Sequence, residues 1–228
     1  MHANTLVCFA LKEEAAPFRK IVADKYGISI LITGIGRQNA EKSIRAFLAT
    51  NSPELVLTCG FAGGLNPDLK LSEVVFELTE RRDELHESQT EIRDSQSSSL
   101  REKLIAVGAE PARFFCADRI ATTVAEKKKL RDETGADAVE LESLAIHNIC
   151  RERGIPCATV RVISDTANED LPLDFNTLVN VDLSLNYGKL ALAITKFPQK
   201  IGALMKLQKQ TKAAAEKLAK ILGKITAP

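Results

Sequence analysis

The chain predicts an α/β fold: a three-layer α/β/α sandwich built on a mixed, largely parallel central sheet. Three observations carry that expectation. Short, mostly apolar, β-rich runs recur at residues 5–11, 28–33, 55–59, 73–79 and 157–163, the pattern of strands buried on both faces. Segments of helical period lie between most of them, at 12–23, 39–50, 123–133 and 142–153. Glycine and proline punctuate the junctions, at Gly34, Gly36, Gly154 and Pro156.

The first run, TLVCFAL, reads as a buried strand, and the helix after it carries Glu13 and Glu14 in its first turn, where the helix dipole favours acids. The helix at 39–50 gathers Ala40, Ile44, Phe47 and Leu48 on one face. The strand at 55–59 is expected to end in a glycine turn at 60–64. Residues 80–99 are polar and charged, and read as a mobile loop or an insertion. Helix is expected at 100–107, strand at 113–120, and helix again at 123–133 with Thr122 or Thr123 as its cap. A short strand at 138–140 leads into the helix at 142–153. The strand CATVRVI closes at Ser164-Asp165, and two last helices are expected at 176–195 and 198–223, with Pro198 at a first helical position.

Composition narrows the function classes. Hydrophobic residues make up 45% and charged residues 27% of the 228, the balance of a globular protein able to bury a sizeable core. A net charge of +1 gives no global field for nucleic acid, and no nucleic-acid partner is expected. The charge is nevertheless uneven: eight lysines and one acid from residue 196 onward put about +7 there and about −6 on the rest. Residues 1–195 therefore read as a catalytic domain and 196–228 as a basic amphipathic helical appendage. Five cysteines in no CxxC spacing read as free thiols of a reducing compartment, and three scattered histidines make no metal site. Lys12, Glu13 and Glu14 interrupt the first apolar run, so no signal peptide is expected; no stretch is apolar for the roughly 18 residues a spanning helix needs, and the expected location is cytoplasmic.

Sites of open α/β sheets form at the carboxyl ends of strands. Four segments fall there: Glu13-Glu14, the glycines of 60–64, Glu140-Leu141-Glu142, and Ser164-Asp165. Each has an ordinary structural reading beside a chemical one. The acids can serve helix dipoles or caps, and the glycines a plain turn. Gly34-x-Gly36-x-x-Asn39 is an incomplete dinucleotide fingerprint, better read as a tight turn, and no Walker phosphate loop is present. Together the acids form a more specific set. Breaking a sugar–base bond needs negative charge near an oxocarbenium-like ring, a proton for the departing base and a base for the attacking water.

Ala10-Leu11-Lys12-Glu13-Glu14, Thr33-Gly34-Ile35-Gly36, Gly60-Phe61-Ala62-Gly63-Gly64-Leu65, Val139-Glu140-Leu141-Glu142-Ser143 and Arg161-Val162-Ile163-Ser164-Asp165 occur in that order. The ordered set resembles the purine nucleoside phosphorylase / methylthioadenosine–S-adenosylhomocysteine nucleosidase superfamily. The stretch from Ala117-Asp118-Arg119 to Glu126-Lys127 and the lysine-rich ending look most like its hopanoid-associated branch, thought to remove adenine from an adenosylated hopanoid. The resemblance implies that Glu14, or Glu13 if the register slips, activates water, and that Asp165 protonates the purine at N7. It implies Glu142 on the ribose hydroxyls, Leu141 under the ribose in place of the usual methionine, and Ile120 and Ala121 at the base. It adds Glu140, Phe61, Ala62, Gly63 and Ser164 to the substrate-binding set, and implies no cofactor.

Phosphorylases of the group hold phosphate with an arginine and a serine where this chain has Thr58 and Phe61. A phenyl group there, with no guanidinium, favours hydrolysis over phosphorolysis. The resemblance also implies a small nucleoside substrate and a homo-oligomer, dimer or hexamer. A phosphate-dependent phosphorylase and a non-catalytic nucleoside-binding protein are the competing expectations. The apolar stripe Phe197, Ile201, Leu204, Thr211, Ala215, Leu218, Leu222 and Ile225 among lysines suits packing on protein, or weak contact with an anionic membrane surface that would leave the enzyme peripheral at the inner membrane.

Overall fold

A computed structural model describes residues 4–23, 25–78, 98–178 and 186–226. Its centre is an eight-stranded mixed sheet with helices on both faces. β1 (Thr5–Phe9) lies between β2 (Ile28–Ile32) and β3 (Leu55–Gly64), parallel to both. β8 (Cys157–Asp165) runs parallel to β3 on its other side, and β4 (Val74–Leu78) pairs antiparallel with β8. β5 (Glu110–Pro111) extends that edge. β6 (Phe114–Cys116) and β7 (Ala138–Glu140) form a parallel pair, and β7 joins the far end of β3 antiparallel, through Gly63–Val139 and Gly64–Ala138.

Each strand of the centre lies between two apolar layers, which explains its lack of polar–apolar alternation. On one face, α1 (Lys12–Ile21) and α7 (Ile201–Ile225) set Ala15, Phe18, Ala214, Leu218 and Leu222 against Val7, Phe9, Leu57, Val160 and Val162. Leu104, from α3 (98–106), joins the same core. On the other face, α2 (Arg37–Leu48) and α5 (Ser143–Glu152) bring Ala40, Ile44, Ile146 and Ile149 against Leu6, Cys8 and Val56. α4 (Val124–Thr134) opens on a Thr123 capping box closed by Glu126 and ends on the left-handed Gly135. α6 (Tyr187–Lys196) precedes a 3-10 turn at Pro198–Lys200, with Pro198 at its start as expected, and then α7.

Several elements differ from the sequence reading. The glycines of 60–64 do not end β3 as a turn. They continue it, because β8 on one side and β7 on the other supply backbone partners to the end of the strand. The expected strand at 113–120 shrinks to β6, and residues 117–123 form a connection. Of the expected helix at 176–195, the described residues form a 3-10 turn at Phe175–Leu178 and α6, and 179–185 lie outside them. The polar stretch 80–99 lies, but for its last two residues, outside the described residues. No helix among the described residues is long and apolar enough to cross a membrane.

Candidate active site

The acids gather at the carboxyl ends of β1, β3, β7 and β8. Glu14 sits in the first turn of α1, where the chain leaving β1 turns into helix. Its carboxylate folds back into the protein and is 4% exposed, while Glu13 points to solvent. One oxygen accepts the Leu11 N–H at 2.9 Å and the other accepts the Phe61 N–H of β3 at 2.9 Å. Burial pushes the Glu14 carboxyl up from its ordinary value, against the pull of Arg161 and those N–H groups.

Arg161, midway along β8 and 1% exposed, is the hub of this end of the site. Its Nη2 donates to Glu140 at 2.7 Å, to Glu142 at 3.2 Å and to Thr58 Oγ at 3.1 Å, while Nη1 reaches the Cys59 carbonyl at 3.3 Å. Burial works against its charge, but the fields of Glu140, Glu142 and Glu14 more than offset that and hold it firmly protonated. Its Nε–H is the buried side-chain donor, among the described residues, that has no hydrogen-bond partner. Gly60 lets this cluster form. Its φ is +142°, and a methyl group on its Cα would meet Glu14 Oε1 at 2.7 Å and Arg161 Nη1 at 2.8 Å.

The two acids of the Glu140-Leu141-Glu142 segment divide their work. Glu140 caps α5, accepting the Glu142 and Ser143 N–H groups at 2.9 and 2.8 Å and the Ser143 hydroxyl at 2.5 Å. Burial opposes its charge, yet Arg161 and these donors outweigh it and hold the carboxyl below its usual range. Glu142 turns instead toward Gly36, whose N–H it accepts at 2.8 Å. Burial, with Glu140 and Glu14 nearby and only part of Arg161 to offset them, pushes Glu142 up to about 7. Leu141 is half-buried against the Leu65, Ala121 and Val139 cluster.

Asp165 occupies the opposite end. It closes β8, and its Oδ2 would lie 3.3 Å from a methyl group on Gly63, three residues along β3 from Gly60. At the strand rise of about 3.3 Å per residue, that separates the Glu14 and Asp165 ends by roughly 10 Å, room for a sugar ring and its linked base. Lys127 of α4, fully buried, meets Asp165 at 2.6 Å and donates to the Thr166 and Glu169 carbonyls at 2.7 and 2.8 Å. All three ammonium hydrogens thereby have acceptors. The Ser164 hydroxyl donates to Asp165 at 2.6 Å and approaches the Ala62 carbonyl at 3.3 Å.

The connection at 117–123 bounds the same end. Ala117 bonds the Glu140 carbonyl at 2.8 Å, Asp118 pairs with Arg37, and Thr122 receives the Leu171 N–H at 2.8 Å. Ala121 is buried beside Leu65 and Val139, and Val139 in turn flanks Gly63 next to Asp165. Ile120 is half-buried on this connection.

The structure thus brings Glu14, Glu140 and Glu142 around one arginine, and sets Phe61, Ala62, Gly63, Ser164 and Asp165 along the adjoining ends of β3 and β8. Two residues to which the sequence reading gave no role, Arg161 and Lys127, hold the two ends. A guanidinium does reach Thr58, contrary to the sequence expectation, but it comes from β8 and is already engaged by two carboxylates. No group of three His, Cys, Asp or Glu among the described residues could hold a metal ion.

A largely parallel sheet with buried acids collected at its strand ends defines an α/β protein whose site lies on the carboxyl edge of the sheet. The family model of the phosphorylase superfamily matches residues 10–195, and the chain belongs to that superfamily. Among its relatives, the aminodeoxyfutalosine nucleosidase of Campylobacter jejuni is 26% identical over 180 residues, which is 67% of this chain and 75% of that protein. The 5′-methylthioadenosine/S-adenosylhomocysteine nucleosidase of an Exiguobacterium species is 25% identical over 191 residues, 74% and 80% of the two chains. Among solved structures, the futalosine hydrolase of Helicobacter pylori superposes with a TM-score of 0.68 at 18% identity, over 98% of this chain and 97% of that one. The Neisseria meningitidis nucleosidase in complex with methylthio-immucillin-A matches with a TM-score of 0.68 at 18% identity, over 98% of each chain.

Proposed function

We propose that the protein is a purine nucleosidase, cleaving the N-glycosidic bond of a 5′-substituted adenosine with water as nucleophile. The observation that carries this reading is the pairing of one buried arginine with Glu140 and Glu142, with Glu14 held close by on the Phe61 N–H and Asp165 near Gly63, three residues further along β3. Three carboxylates around one cation leave negative charge beside the sugar, where an oxocarbenium-like transition state develops positive charge. Glu14, its proton affinity raised by burial, is the general base for water, which the Arg161 guanidinium helps to orient. Glu142 accepts the ribose hydroxyls, and Leu141 packs beneath the ring. Asp165, held by Lys127 and Ser164, passes to the departing base a proton that it first takes up from solvent, while the proton of the attacking water goes to Glu14. Glu140 acts through Arg161 and the start of α5 rather than on the substrate.

The same cluster disfavours phosphorolysis. A phosphate dianion entering there would meet an arginine already paired and an excess of carboxylates, beside the Phe61 side chain. The test is release of free adenine or hypoxanthine from methylthioadenosine, S-adenosylhomocysteine, inosine and a 5′-alkylated adenosine, with and without phosphate. Base release without phosphate is expected. Strict phosphate dependence with formation of ribose-1-phosphate would overturn hydrolysis, and no release from any of the four would overturn the nucleosidase reading.

Burial along α7 also supports a peripheral lipid contact. Its distal half is core, whereas Leu192, Phe197, Ile201 and Met205 are 55, 45, 41 and 65% exposed, with Lys196, Lys200, Lys206 and Lys209 interspersed. Exposed apolar side chains among lysines suit weak contact with an anionic membrane, and a substrate with a lipid tail such as an adenosylated hopanoid. Truncation at residue 195 would strip Leu218 and Leu222 from the core, so point changes are the better probe. Flotation with anionic vesicles should fall in the F197S/M205S variant. Sedimentation of the same protein tests whether a second copy covers the face instead.

A further inference from the structure

The Ile120 peptide is engaged by a side chain in an unusual way. Asn176, in the 3-10 turn at Phe175–Leu178, accepts the Ile120 N–H on Oδ1 at 2.9 Å and donates Nδ2–H to the Ile120 carbonyl at 3.0 Å. The second Nδ2 hydrogen goes to Asp174 at 2.9 Å. Only this orientation of the amide satisfies the backbone donor and the backbone acceptor of Ile120 at once. A carboxamide so placed presents an acceptor beside a donor. The 6-amino edge of a purine presents the same pair, ring N1 accepting and the exocyclic amine donating.

The location matters as much as the chemistry. Ile120 precedes Ala121, which packs on Val139 beside Gly63 and Asp165, so this peptide borders the end of the site assigned to the leaving base. We infer that Asn176 is an internal stand-in for the base: its amide holds the N–H and C=O edge of Ile120 closed, and the 6-aminopurine of the substrate must displace it. The inference rests on the nucleosidase reading and adds to it a residue that sets affinity for the base. An occupant that has to leave lowers apparent affinity by the fraction of molecules in which the edge is free. The turn carrying Asn176 then moves with each substrate bound, while its Thr122–Leu171 backbone bond anchors one side.

The competing role is a simple staple between the 117–123 connection and the turn at 175–178, and the two roles predict opposite signs. If Asn176 competes with the base, Asn176→Ala lowers the calorimetric Kd for adenine by about tenfold, the scale of two ordinary hydrogen bonds no longer broken, and lowers KM with it. Asn176→Asp, which keeps the size but faces the Ile120 carbonyl with another acceptor, tightens adenine in the same direction. Its thermal unfolding shows whether the fold is retained should the alanine variant be unstable. Hydrogen exchange at the Ile120 amide gives a readout independent of activity. It should be slow in the unsubstituted chain, fast in Asn176→Ala, and slow again in that variant saturated with adenine.

Equal or weaker adenine binding by both variants, with Ile120 exchange insensitive to adenine, overturns the stand-in and leaves the nucleosidase reading intact. Failure of the unsubstituted chain and both variants to bind either adenine or hypoxanthine removes both.

Discussion

The two ends of the site solve the problem of buried charge in opposite ways. At the Lys127 end, one ammonium meets one carboxylate and spends its remaining hydrogens on the Thr166 and Glu169 carbonyls. At the Arg161 end, one guanidinium pairs with Glu140 and Glu142 and lends only its field to Glu14, and the compromise appears as raised proton affinity on Glu14 and Glu142 and a lowered one on Glu140. A balanced pair fixes the position of a group; an under-neutralised cluster keeps a base reactive. The contrast suits a reaction in which the sugar becomes cationic at one end and the base leaves from the other.

The largest expected effects separate the two ends chemically. Glu14→Gln and Asp165→Asn should each lower kcat/KM on a purine nucleoside by about 10²–10⁴-fold. With a riboside whose leaving group needs no proton, such as p-nitrophenyl riboside, Asp165→Asn should retain most of the rate and Glu14→Gln should not. Equal losses on both substrates would erase the division of roles.

Next comes stability. Arg161→Met leaves Glu140 and Glu142 buried without their cation, removes its field from Glu14, and should cost about 3–5 kcal/mol in denaturant unfolding. Much of that loss should be recovered in mild acid, where the carboxyls become neutral. Lys127→Met strands only Asp165, so a smaller loss is expected; a larger one would reverse the comparison. Gly60→Ala, at a φ of +142° and with Glu14 and Arg161 against the added methyl, should cost about 1–3 kcal/mol and disturb both groups.

The smallest effects are in pH dependence. Rate should rise with pH to a plateau set by the acids of the Arg161 cluster, with a limb near the value of about 7 to which Glu142 is pushed. For stability the sign is opposite. Between 4.5 and about 7 the folded chain holds a proton on Glu142 that the unfolded chain has released, so stability falls as pH rises through that window. His147, which burial lowers from 6.5 to about 4, is neutral in the fold and charged in the unfolded chain, so its contribution rises with pH between those values. The two partly cancel. Glu142→Gln should therefore leave a stability that climbs with pH from about 4 to 6.5, read from denaturation midpoints across that range.

Much of the site was legible before any coordinates. The segments Glu13-Glu14 and Ser164-Asp165 could be named because strand–helix alternation places them at strand ends, and Glu140 and Glu142 because they fall between a short strand and a helix, whereas the choice of Glu14 over Glu13 rested on the family resemblance. Arg161 carried a signal that went unused. A lone charge in the middle of CATVRVI cannot reach water from a strand buried on both faces, so it has to find carboxylates. Lys127 carried none, since it stands in a run of three lysines of which the other two face solvent. The glycines of 60–64 were misread as a turn because glycine signals a break only where neighbouring strands do not supply the backbone partners.

Sequence alone determined the layers, the order of most elements and which acids stand near the sheet's carboxyl edge, because periodicity and chain direction are local properties of the polypeptide. Which acid shares which cation, and hence which one holds a proton near neutral pH, was decided by tertiary structure. Charge coupling depends on separations of a few ångströms between residues far apart in the chain, such as Glu14 and Arg161, and only the packed sheet sets those separations.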